Sequence, residues 1–242
     1  MNIQKQFYQA IENNDIKNVK LLLNHPKVNP SDLDNWAIKY ASRGGHYDIV
    51  KLLFNDHRVD PTDEDNSAIR YASDRGHYDI VKLLLNDNRV NPADYDNWAI
   101  ISASKNGHYD IVKLLLNDNR VNPADNNNWA IISASMEGHY DTVKLLLNDH
   151  RVNPADEDNW AIIEAAIEGH TDIVKLLLND NRINPADNKN WAIIYASREG
   201  HYDIINLLWQ DKRVKNTLQK DSEELYNELV KKEKIKEKVE SF

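Results

Sequence analysis

Apolar positions in this chain fall into two helical clusters that return every 31 residues. Between Asn97 and Asn127 the first cluster is Ala99, Ile100 and Ala103, whose spacing marks one face of a short helix. The second is Ile111, Val112, Leu114, Leu115 and Leu116. That face is too broad for a single contact, so the helix is predicted to bury itself against its own partner and against the next unit. Asn97 stands where an N-cap accepts from the free amides of the first turn. Gly107 ends the first helix, because a residue without Cβ enters the left-handed conformation at low cost. Asp110 opens the second helix with a carboxylate at the positive end of its dipole. Pro123 prevents that helix from continuing. Arg120, Val121 and Asn122 are therefore predicted to be extended, and the run Ala124 to Asn128 to turn into the next unit.

The polar markers keep the same clock. His46, His77, His108, His139, His170 and His201 each follow a glycine. Trp36, Trp98, Trp129, Trp160 and Trp191 recur with them, with Ser67 filling the second place, and so do Pro30, Pro61, Pro92, Pro123, Pro154 and Pro185. A fixed period in the range of about 20–50 residues signals a solenoid, whose units cannot bury their apolar faces alone. The organisation read from this spacing is a degenerate first unit at residues 1–34, five internal units at 35–189, a last unit at 190–216 and a different text at 217–242. The first unit keeps Phe7, Ala10, Val19 and Leu21 to Leu23 but is polar at Gln4, Gln6, Glu12, Asn13 and Asn14, as a capping unit should be. In the last segment Asp221 or Ser222 is a candidate cap for a helix carrying Leu225 and Leu229 on one face, with Ile235 and Val239 further on. That helix is expected to cover the last unit; a short partner-binding helix is the alternative.

The stretch A-S-x-x-G-H-Y-D-I-V-K-L-L-L, as at Ala103 to Leu116 and closely at Ala41 to Phe54, resembles the core of the ankyrin repeat. The family pattern T-P-L-H-x-A-A-x-x-G-H-x-x-I-V-x-L-L-L has a period of about 33. Aligned on Gly-His, its Leu falls on Ile38, Ile69, Ile100, Ile131, Ile162 and Ile193, and its Thr on Trp36 and the other tryptophans. The resemblance covers about residues 4–216. The short unit, with N-W-A-I and D-x-R-V-N-P, is similar to ankyrin arrays of large DNA viruses, which would place the chain in the host cytoplasm. The resemblance implies an all-α ankyrin-repeat solenoid of about seven helix-turn-helix units with a C-terminal capping helix. It also implies a concave groove lined by first-helix positions and loop tips, where a partner protein binds. Some ankyrin asparagines near Asn29, Asn91, Asn122, Asn153 and Asn184 are hydroxylated, so these become possible substrates, although the proline that follows each and the shortened loop depart from the family.

Composition narrows the remaining classes. Net charge is −9, from 39 acidic and 30 basic residues, which argues against a nucleic-acid partner. The absence of cysteine removes disulfides, zinc ribbons and thiol nucleophiles, and fits a reducing compartment. Met1 to Ala10 lacks the apolar core of a signal peptide, and no run of about 18 apolar residues points to a membrane. A soluble, intracellular monomer without cofactor is expected.

No catalytic set stands out: there is no Gly-rich phosphate loop, no G-x-S-x-G and no H-E-x-x-H. The histidine ladder is not a metal site, because adjacent helices pack about 8–10 Å apart whereas zinc ligands lie about 2.0–2.1 Å from one ion. The resemblance assigns these histidines to tying the helix–helix turn to neighbouring backbone. His25, His57 and His150 lie outside the ladder and read as loop residues, and the Asp-x-Arg pairs from Asp56–Arg58 to Asp211–Arg213 as ties within and between units. The tryptophans are either packed at the start of the first helix or an aromatic stripe on a binding face.

Specificity is expected where units differ. The candidate partner-binding residues are Tyr40, Arg43, Arg70, Tyr71, Arg75, Tyr95 and Lys105, followed by Met136, Glu137, Glu164, Glu168 and Tyr195. Together with Lys39 and Glu157 they make a set that is basic in the first half of the chain and acidic in the second, a polarity that orients an oppositely charged partner. A non-enzymatic protein-binding module is the reading favoured by the sequence, over a structural spacer and over an enzyme with a concealed site.

Overall fold

The computed structural model describes residues 2–240, with side chains described to residue 234. Ile235 and Val239, expected to extend the apolar stripe of the last helix, lie outside the described side chains. Among the described residues every regular element is an α-helix, and the chain divides into two compact units, Met1–Asp125 and Asn126–Phe242.

The first unit holds α1 (Ile3–Glu12), α2 (Ile16–Leu23), α3 (Asp32–Arg43), α4 (Tyr47–Phe54), α5 (Asp63–Asp74), α6 (Tyr78–Leu84), α7 (Asp94–Lys105) and α8 (Tyr109–Leu116). First helices pack on first helices, α1 on α3, α3 on α5 and α5 on α7, while second helices stack as α2, α4, α6 and α8. The second helices have seven or eight residues. Isolated helices shorter than about 12–15 residues are marginal in water, so each is held by its neighbours. Ile38, Ile69 and Ile100 on the first helices and Leu53, Leu84 and Leu115 on the second have no exposed surface. Each such side chain contributes roughly 1.5–3 kcal/mol by leaving water. Of the Leu114 to Leu116 triplet only Leu115 is fully enclosed.

The second unit continues the pattern with α9 (Asp125–Met136), α10 (Tyr140–Leu147), α11 (Asp156–Ile167), α12 (Thr171–Leu178), α13 (Asp187–Glu199) and α14 (Tyr202–Trp209). The loop that should follow α14 is replaced by a helix, α15 (Lys212–Asp221), and α16 (Glu223–Glu240) folds against it. Two helices thus stand where one was expected. Leu218, Leu225 and Leu229 are buried there. Trp209 of α14 donates its indole N–H to Glu233 at 3.2 Å, and the Lys215 ammonium lies 5.0 Å from the Trp209 ring and 2.7 Å from Glu233.

The start of each first helix differs from expectation. Tyr95, Asp96 and Asn97 are all left-handed, with φ of 56°, 53° and 56°. The same three-residue left-handed turn occurs at Leu33–Asn35, Glu64–Asn66, Asn126–Asn128, Glu157–Asn159 and Asn188–Asn190. That conformation costs roughly 1–2 kcal/mol per residue bearing a Cβ, least for Asn and Asp, whose short side chains bond locally. Asn97 is therefore not an N-cap for its own helix. Its amide donates to Asp125 and its carbonyl oxygen accepts from the backbone N–H of Asn122 at 2.8 Å, both one repeat onward. Asn35 and Asn66 do the same toward Asp63 and Asp60 and toward Asp94 and Asn91. Bonds to the next repeat repay the turn that the asparagine closes. Arg120 ends a turn closed by the bond from Val121 N–H to the Asp118 carbonyl at 3.1 Å.

Candidate functional site

Several of the polar residues that are constant between repeats hold repeats together. His77 and His108 donate from Nε2 to the carbonyl oxygens of Arg43 and Asp74, each at 3.0 Å, and His170 and His201 donate to those of Met136 and Ile167, each at 2.9 Å. The glycines before them serve the same contact. Gly76 has φ +79°, and a Cβ there would lie 2.7 Å from His108 Cε1. Each Asp-x-Arg pair closes on itself and most reach back a repeat, as Arg120 does to Asp118 and to the Val90 carbonyl at 2.7 Å. The arginine holds each aspartate below its ordinary pKa, chiefly by hydrogen bonding. Among the described residues no cluster of three or more His, Cys, Asp or Glu is arranged to hold a metal ion, and no helix is long and apolar enough to cross a membrane.

The loop asparagines are occupied as well. Asn122 donates its amide to Asp125 and accepts from the backbone N–H of Ala124 at 3.1 Å. Asn91, Asn153 and Asn184 make the same pair of bonds.

The candidate positions are the variable first-helix and loop-tip residues. In the first unit Tyr40, Arg43, Tyr71, Arg75, Tyr95 and Lys105 are exposed and Arg70 is half-buried. Several of the basic side chains are engaged within the chain. The Arg43 guanidinium lies 5.9 Å from the Tyr71 ring and that of Arg70 4.6 Å from the Tyr95 ring. Arg70 also donates to the carbonyls of Glu64 and Asp65 at 2.9 Å, on the left-handed turn. Lys39 is buried and pairs with the loop-tip carboxylate of Glu64 at 2.7 Å, and Arg75 pairs with Asp74 at 3.2 Å. Tyr95 is 61% exposed, more than Tyr40 or Tyr71, with its ring edge-on to Trp98 at 6.3 Å.

In the second unit Glu137 and Glu168 are exposed at the ends of α9 and α11, while Met136, Glu164 and Tyr195 are half-buried. The Glu164 carboxyl is pushed up, first by burial and then by the neighbouring Glu168, against a hydrogen bond from Trp160 that favours its charge. Among the described residues neither Glu164 nor Glu168 has a lysine or arginine within ion-pair distance. Tyr195 meets Trp191 edge-on at 5.7 Å, with Arg198 5.1 Å from its ring centroid.

The tryptophans are the residues whose place the sequence left open. Trp98 and Trp129 are more than a third exposed, and Trp36, Trp160 and Trp191 are half-buried. They sit beside the variable positions, not in the core: Trp36 stacks on Tyr40 at 4.8 Å and Trp160 meets Trp191 at 6.0 Å. Trp129 and Trp160 line a cleft of about 470 Å³ with Asn126, Asn127 and Glu157. The signal that could have found them was the company they keep, since each lies four residues before a variable first-helix position.

A family model described as ankyrin repeats in three copies matches residues 7–96, 71–158 and 131–220. Among curated proteins, none matches the chain.

Proposed function

The chain belongs to the ankyrin-repeat family, and from that premise we propose that it is a non-enzymatic module that binds a partner protein through its first-helix and loop-tip positions. Ankyrin repeats are generally protein-interaction modules, and one observation carries the reading to these residues. The ladder histidines and the turn asparagines, constant in the repeat, are engaged in bonds between repeats, whereas the positions that change from repeat to repeat present rings and charges that are exposed or half-buried. A spacer has no use for that division. Tyr71, Arg75 and Tyr95 carry the interaction in the first unit, and Glu137, Glu164, Glu168 and Tyr195 in the second. Met136 contributes an adaptable apolar contact. Buried aromatic and arginine anchors dominate most interfaces, and these are the side chains the surface offers. Modification of the loop asparagines is the less favoured reading, because their side chains are already bonded within the loop.

The test is affinity capture of a partner by the wild-type chain and by the combined Tyr71→Ala, Arg75→Ala, Tyr95→Ala variant. Loss of the captured partner with unchanged helix content supports the module. Undiminished capture rejects this surface, and an absence of any specific partner leaves the spacer reading in its place.

A further inference from the structure

Loop-tip carboxylates occur at the same register in both units, and among the described residues only Glu64 has a lysine or arginine within ion-pair distance. Glu64 is paired with Lys39 at 2.7 Å. Glu157 stands three repeats of 31 residues after Glu64, and the position equivalent to Lys39 is Ile132. Arg70, next in that register, lies over the following loop-tip ring, and after it the register is Ile101, Ile132, Ile163 and Ile194. The first unit therefore supplies a cation to two of its loop tips, Glu64 and Tyr95, from within the chain, and the second has isoleucine at each corresponding position. In place of a cation, the second unit has an open cleft walled by Trp129 and Trp160 with Glu157 at its rim.

The side chains lining the cleft are held in place. Trp160 is braced edge-on by Trp191 at 6.0 Å and hydrogen-bonds to Glu164. Glu157 is fixed by the Asn127 amide, which donates to it at 2.5 Å. A cation over an indole face gains roughly 0.5–1 kcal/mol when exposed and about 2 or more when desolvated, and a guanidinium also offers a fork of donors to a carboxylate. Beyond the cleft, Glu164 on α11 and Glu168 at its C-terminal cap stand without a basic partner among the described residues.

We propose that the cleft between Trp129 and Trp160 receives an arginine or lysine side chain from a basic segment of a partner protein, with Glu157 as its counter-ion and Glu164 and Glu168 facing the residues that follow. The proposal rests on the protein-binding reading and names the chemistry of the partner.

A fluorescein-labelled oligoarginine peptide titrated against the full chain at about 0.15 M salt, read by anisotropy and by tryptophan fluorescence, tests it. Saturable binding at one site per chain with a change in tryptophan emission is expected. Glu157→Gln and Trp160→Ala should each weaken it about tenfold, the loss of one desolvated cation contact. Ile132→Lys, which rebuilds the Lys39–Glu64 pair at this register, should abolish it. The control is Glu223→Gln with Glu224→Gln on α16, which removes two charges elsewhere. Weakening by the control equal to that of Glu157→Gln would show attraction to net charge alone and overturn the proposal. So would saturable binding indifferent to Glu157→Gln, or no binding at all. If oligoarginine fails while partner capture still depends on Tyr71, Arg75 and Tyr95, the protein-binding reading stands and the basic-segment inference falls.

Discussion

The imidazole of His108 donates to the carbonyl oxygen of Asp74 across 3.0 Å, and Gly76 lies beneath the ring. One bond thereby fastens the turn of one repeat to the first helix of the repeat before it. His108→Ala leaves the Asp74 carbonyl with only the Asn106 amide, at 3.2 Å, and opens a void over Gly76, and should cost about 0.5–1.5 kcal/mol. Gly76→Ala should cost about 1–2 kcal/mol from the left-handed backbone alone, with displacement of His108 added. Urea unfolding of each single variant and of the double variant measures both. Additive losses would show that the two residues do not act through one contact.

Core position should decide the severity of a truncation. Leu115 has no exposed surface, whereas Leu22, at the same place in the first helix pair, is 8% exposed. Leu115→Ala should cost about 2–5 kcal/mol and Leu22→Ala less. Hydrogen exchange is expected to show loss of protection confined to α1 and α2 in the second variant and spread over neighbouring repeats in the first. Equal and global loss in both would mean that the array unfolds as a single block.

The Asp-x-Arg ties predict how stability depends on acid. Asp118 is held below its ordinary pKa, first by the hydrogen bond from Arg120. A carboxylate whose folded pKa is lowered contributes stability that is fully present above its unfolded value, about 3.9, and that is lost as pH falls through the folded one. Asp118→Asn should therefore destabilise the chain by about 0.2–1 kcal/mol at pH 5 and above, as half-exposed pairs do. The gap from wild type should close below about pH 4. A gap independent of pH would assign the loss to packing.

Glu164 has the opposite sign. Burial and the neighbouring Glu168 raise its pKa, so the free protein is penalised as pH rises through that value. Glu164→Gln should raise the thermal midpoint at pH 7 and leave it nearly unchanged at pH 4. A fall in midpoint at pH 7 would show that the carboxylate is a structural residue and not one held ready for a cation.

Much of the fold was readable from spacing, because the groups that build it do so locally. Gly107 ends a helix through its own φ, and Ile111, Val112 and Leu115 share a face through their own periodicity. Asn97 misled because a polar residue before an apolar run looks the same whether it caps its own helix or bonds the next repeat, and its partners lie 25 and 28 residues away. The left-handed turns at Tyr95 to Asn97 were hidden for a related reason, since Leu33, Glu64 and Tyr95 are not residues that favour positive φ and accept it only within the closed loop. At the candidate site the sequence pointed to the variable positions, but which charges are already paired is a matter of geometry. Lys39 and Glu64 are partners, while Glu157 has Ile132 at the register of that lysine; the difference is written in the sequence, but that the two positions meet is seen only in the folded chain. The exposure of the tryptophans was likewise set by tertiary packing.

Site-specific photo-crosslinking tests the central claim most directly. A photoreactive phenylalanine analogue is placed at Tyr71 or Tyr195 among the proposed recognition positions, or at Tyr109, which is exposed at the start of the second helix α8. The account predicts a covalent adduct with the same partner from Tyr71 and Tyr195 and none from Tyr109. An adduct formed from Tyr109 alone would contradict it.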